Sequence, residues 1–177
     1  MKPFIHTSTC ARAITMGLLL ATGAVWAQLG APLADSGVPM GVGAGVHGAN
    51  SPFAPLQERS DVLPWSVLTA VKTKLDKNRV LPVFPGNIQA LNQKSQRVQG
   101  FMMPLEPGEK QKHFLLSSVP MTCPFCVPGG PESMVEVKTK TPVKYSMEAV
   151  VVEGQFAVLK DDPYGLFYRM TEAVAVK

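Results

Sequence analysis

The stretch that decides the fold is residues 113–138, HFLLSSVPMTCPFCVPGGPESMVEVK. His113–Ser118 is a short apolar run that reads as a strand. Met134–Thr139 follows the same pattern on the other side. The segment between them is dense in proline and glycine, so it reads as a loop and not as the interior of a helix or strand. A strand, a rigid loop and a second strand make this a β protein, and the loop carries two cysteines, Cys123 and Cys126.

Outward from this point the chain keeps the punctuation of short strands. Val80–Phe84, Ser95–Met103, Tyr145–Val152, Gln155–Lys160 and Leu166–Val176 are further candidates. Pro85-Gly86-Asn87, Pro107-Gly108-Glu109, Glu153-Gly154 and the run Asp161–Gly165 separate them as turns. Within Ser95–Met103, Val98, Gly100 and Met102 alternate with Arg97, Gln99 and Phe101, which suits one buried face. Gly100 there predicts a bulge or bend. Before the strands, Trp65, Leu68, Val71 and Leu75 recur at helical spacing across Asp61–Lys77, with Lys72, Lys74, Asp76 and Lys77 opposite them. Pro64 suits the first turn, so this segment predicts an amphipathic helix docked through its tryptophan. The expected fold is mostly β: a small, partly open β-barrel resembling an OB fold, with one N-terminal amphipathic helix. A sheet covered by a helix is the alternative.

The N-terminus predicts export. Lys2 and Arg12 precede the apolar run Ala13–Val25, which has signal-peptide length and is shorter than the roughly 20 residues of a spanning helix. Val25-Trp26-Ala27 fits a small-residue cleavage rule, so residues 1–27 read as a signal peptide and the protein as periplasmic. Of 177 residues, 150 then remain, and 15 Lys+Arg against 13 Asp+Glu leave a net charge of +2. That near-neutral balance excludes the electrostatic footprint of a nucleic-acid binder. No second segment reaches spanning length after cleavage. Residues 28–60 are rich in Gly, Ala and Pro without periodicity and read as a flexible leader, which leaves residues 61–177 as a single β-rich domain. His47, alone in that leader, reads as solvated.

The chemistry concentrates at the cysteines. There is no Gly-rich phosphate loop, no paired-histidine metal motif and no nucleophile with an evident histidine base, so the chain reads as a non-enzyme with redox exchange left open. Cys10 leaves with the signal peptide, which makes Cys123 and Cys126 an even pair in an exported protein. Two thiolates two residues apart can reach one copper or zinc ion, and Met121 and His113 are the next candidate ligands. Met102, Met103 and Met134 stand on neighbouring strands and fit core filling as well as copper binding. Val127-Pro128-Gly129-Gly130-Pro131 cannot start a helix, so the thioredoxin order of strand, CxxC and helix is absent. Three readings stay open: metal handling through CPFC, a thiol–disulfide redox pair, and an adaptor of an envelope transporter with a structural disulfide.

The order of GFMMPLE (Gly100–Glu106), HFLLSS, the cysteine loop and MVEV, with Trp65 and Leu68 upstream, resembles the exported bacterial DUF3299 family over roughly residues 60–140. The resemblance implies a small exported β domain and no defined chemistry. It also implies a dithiol subtype, because family members often carry a single cysteine before a proline-rich loop.

Overall fold

A computed structural model describes residues 43–176. The proposed signal peptide and residues 28–42 of the leader lie outside this range. Five strands make a closed barrel: β3 (Lys94–Pro104), β4 (Lys110–Ser117), β5 (Met134–Lys144), β6 (Val150–Val158) and β7 (Tyr168–Val176), in the order β3-β4-β5-β7-β6. All pairings are antiparallel except β5 with β7. This is the Greek-key barrel expected of an OB-like chain, with its ring fully closed.

Gly100 is where the ring turns its corner. Lys94–Gly100 pairs with β6, and from Phe101 onward β3 pairs with β4. A Cβ on Gly100 would stand 2.8 Å from the Ser117 carbonyl oxygen and 3.3 Å from the Trp65 ring. Only glycine permits that approach, so the bend read from sequence is a partner switch closing the barrel. Val98, Met102, Phe114, Leu116, Val135, Val137, Val152, Phe156 and Met170 form the buried core.

Three elements differ from the sequence reading. The predicted helix over Asp61–Lys77 is a single turn, α1 (Trp65–Leu68), followed by a hairpin of β1 (Lys72–Asp76) and β2 (Arg79–Val83). The turn residues Lys77 and Asn78 both have positive φ (43° and 69°), as a two-residue hairpin turn requires, and Asn tolerates this well. Leu75, placed on the buried helical face by its spacing, is 73% exposed on the hairpin. The tryptophan does dock as expected: Trp65 Nε1 donates to the Gln99 carbonyl at 2.8 Å, and Tyr168 Oη donates to the Leu68 carbonyl at 2.6 Å. A second one-turn helix, α2 (Gly86–Gln89), buries Ile88.

Glu153-Gly154 is not a turn. The two strands expected on either side of it are one strand, β6, whose register with β7 shifts between Glu153 and Gln155. A Cβ on Gly154 would lie 2.7 Å from the Thr171 carbonyl oxygen, so this glycine marks a bulge inside a strand. The same Gly signal serves turn and bulge, which is why sequence alone misassigned it.

Candidate functional site

The cysteine loop joins β4 to β5 at one end of the barrel. Local turns shape it: the Cys123 amide donates to the Pro120 carbonyl at 3.2 Å, and the Cys126 amide to the Cys123 carbonyl at 3.3 Å. These bring the two Cα atoms to 5.4 Å, and Cys123 and Cys126 are joined as a disulfide. Cys123 is buried (6% exposed), whereas Cys126 is half-buried, so the two sulfurs are not equivalent toward solvent. Phe125 (54% exposed) and Met121 (41%) project beside them.

Residues 43–51, assigned by composition to the leader, are laid along this loop. Val46 and Val127 exchange both backbone hydrogen bonds at 2.8 Å as an antiparallel bridge. The Gly43 amide donates to Glu132 Oε1 at 2.9 Å, the Ser118 hydroxyl donates to the Ala44 carbonyl, and Cys123 Sγ contacts Ser51 Oγ at 3.3 Å. Glycines make the approach possible. A Cβ on Gly48 would overlap the Phe125 carbonyl, and one on Gly129 would overlap the Gly43 carbonyl. The strap was missed because its composition carries no strand period. The glycines of the strap and of the loop, Gly45, Gly48, Gly129 and Gly130, are the signal that could have found it.

His113, named from sequence as a ligand, is not brought to the cysteines. It lies four residues before the end of β4, roughly 13 Å along the strand at about 3.3 Å per residue. Its Nε2 is 2.7 Å from Glu136 Oε1. Glu136 is buried where β4, β5 and β7 adjoin; it is also ion-paired to Arg169, which reaches Asp162 at 2.9 Å, and Lys138 Nζ lies 3.6 Å away. Burial alone would raise the Glu136 carboxyl, but the hydrogen bonds from Arg169 and His113 and the charges of Arg169 and Lys138 outweigh it and hold it below its ordinary value. Asp162 is likewise lowered against its burial, by the Tyr164 amide and Arg169. This cluster fixes strands to one another and has no share in the cysteine loop.

The remaining candidate ligand, Met121, does sit at the loop, two residues before Cys123 and exposed. Met134 opens β5, half-buried, while Met102 belongs to the core. Among the described residues no group of three or more His, Cys, Asp and Glu side chains converges as a ligand set. Any metal held here would rely on the two cysteine sulfurs in reduced form together with thioethers. Among the same residues no helix is long and apolar enough to cross a membrane.

No curated protein matches the chain. A solved structure that is similar is a DUF3299 family protein from Pseudomonas aeruginosa PAO1, 25% identical, covering 56% of this chain and 68% of its own, at a TM-score of 0.42. The family pattern described as "protein of unknown function (DUF3299)" matches residues 65–172. The match therefore extends beyond the 60–140 resemblance, through β6 and into β7. Spanning α1 to the last strand of the barrel, it establishes that the chain belongs to the DUF3299 family.

Proposed function

We propose that this is an exported, periplasmic protein whose CPFC loop is a dithiol–disulfide centre: a disulfide at rest and, when reduced, a ligand for copper(I) or zinc. The observation that carries the reading is the pairing of Cys123 and Cys126 on a braced surface loop with Cys126 half-exposed. A bond that closes so short a loop restricts the unfolded chain little, about 2 kcal/mol by loop entropy, so stabilisation is a weak reason for it. Export is supported by the disulfide itself, since such bonds persist in oxidising compartments. Reduction takes two electrons and two protons from a dithiol donor, which becomes a disulfide in turn; the sulfur within reach of that donor is the half-exposed Cys126. An incoming ion then displaces both thiol protons into solvent and is held by the two thiolates, and Met121 can add a thioether that favours copper(I) over zinc.

The test is an anaerobic titration of the reduced chain with Cu(I) and with Zn(II), against the Cys123→Ser/Cys126→Ser variant. About one equivalent bound by the reduced wild type, and at least tenfold weaker binding by the variant, supports the reading. Equal binding by both removes the cysteines from metal handling.

A second reading, favoured by the strap, is a binding module for an envelope transporter or another periplasmic protein, with a structural disulfide. Val46, Ser51 and Gly43 hold the loop as a bracing contact does. Under that reading the double serine variant binds metal no differently and loses only stability.

A further inference from the structure

Four methionines line one cleft beside the cysteine loop: Met102, Met103, Met121 and Met147. They come from three places in the chain, β3, the β4–β5 loop and the loop between β5 and β6. Met102 is a core residue, which accounts for it. Core filling does not account for Met121 and Met147, which are 41% and 56% exposed on loops. Met103 is half-buried and, by the alternation of β3, points to the opposite side from Met102.

We propose that Met103, Met121 and Met147 form a thioether site for a soft monovalent cation, with Cu(I) the biological candidate. The cleft holds about 50 Å³. That leaves room for a water or an ion. Its other walls are Phe101, Pro104, Pro120, Thr122 and Tyr145, with no carboxylate, histidine or amine. Hard cations need oxygen ligands and zinc prefers thiolate or imidazole, so an uncharged thioether set selects Cu(I). The site involves no change in the disulfide. It shares Met121 with the dithiol centre and is available while that centre is oxidised.

The test uses the full chain with its disulfide intact and Ag(I), a redox-silent stand-in for Cu(I), followed by NMR of methyl-labelled methionines. The result expected is that Met103, Met121 and Met147 methyl signals shift together and saturate at about one Ag(I) per chain, while Met134 stays unmoved. Met103→Leu/Met121→Leu/Met147→Leu, a volume-conserving change, should weaken binding at least tenfold. If that triple variant fails to fold, Met147→Leu alone, at an exposed loop position, reads the same loss. Unmoved methyl signals, or leucine variants that bind Ag(I) like the wild type, overturn the proposal. Because the disulfide is closed throughout, this result is independent of whether the reduced cysteines bind metal.

Discussion

Glu136 is the residue whose environment has the clearest consequence. Its carboxylate is buried with Arg169 and His113 on it, and its pKa is lowered relative to the unfolded chain. The folded state therefore binds its proton less readily than the unfolded state. The stability this contributes is present above the ordinary glutamate range, near pH 4.3, and is lost as pH falls through the lower folded value. Acid titration followed by circular dichroism should show Glu136→Gln flattening the loss of stability below about pH 4. At pH 7 the same variant should lose about 2–3 kcal/mol in urea denaturation, since Arg169 is left half-buried with Asp162 as its one remaining carboxylate. An unchanged midpoint would mean the ion pairs are ornamental. His113 illustrates the limit of residue-type reasoning: histidine beside a CxxC is a ligand candidate by composition, and a carboxylate 23 residues away in sequence takes it instead.

Among elements, two glycine contacts make opposite kinds of prediction. Gly154 sits in the β6 bulge with Thr171 and Ala173 against it. Gly154→Val should cost about 2–3 kcal/mol, as overpacking does, read as a lowered melting midpoint. Gly48 faces the Phe125 carbonyl across the strap and contributes little to the core. Gly48→Ala should leave the melting midpoint within about 1 kcal/mol and lift the strap, speeding amide exchange at Val46 and Val127 at least tenfold. Slow exchange retained there would show that the strap is held elsewhere.

The strands legible in the sequence were those whose alternation matched a buried face, such as Val98–Met102 and Val135–Val137. Of the hairpin, β2 was legible as Val80–Phe84 and β1 was not, because Trp65, Leu68, Val71 and Leu75 keep helical spacing while the residues of β1 bury nothing. With no buried face, β1 leaves no period-2 signal, and its turn is marked only by Lys77-Asn78, a weaker signature than Asn-Gly. The cysteines were legible as a pair on a loop, whereas the strap that braces that loop and Met147 in the cleft were not. Those contacts join segments distant in sequence, and no local periodicity announces them.

At the scale of the whole molecule, a closed five-stranded barrel presents the proposed dithiol centre on one loop. The barrel fixes β4 and β5, residues 118–133 connect them, and residues 43–51 hold that connection from outside. A disulfide in that setting can be opened without dismantling the core, because no core strand depends on it. Opening it should therefore leave the barrel folded: reduction is expected to lower the melting midpoint by only about 2 kcal/mol equivalent and to leave the far-ultraviolet dichroism unchanged.

The measurement that tests the central claim most directly is the reduction potential of Cys123–Cys126, from equilibration in thiol–disulfide buffers and mass spectrometry of alkylated chain. A switching centre with a half-exposed sulfur predicts a value between about −270 and −120 mV, the span of dithiol exchange proteins. A value below about −300 mV, the range of inert structural disulfides, would contradict it and leave the loop a brace.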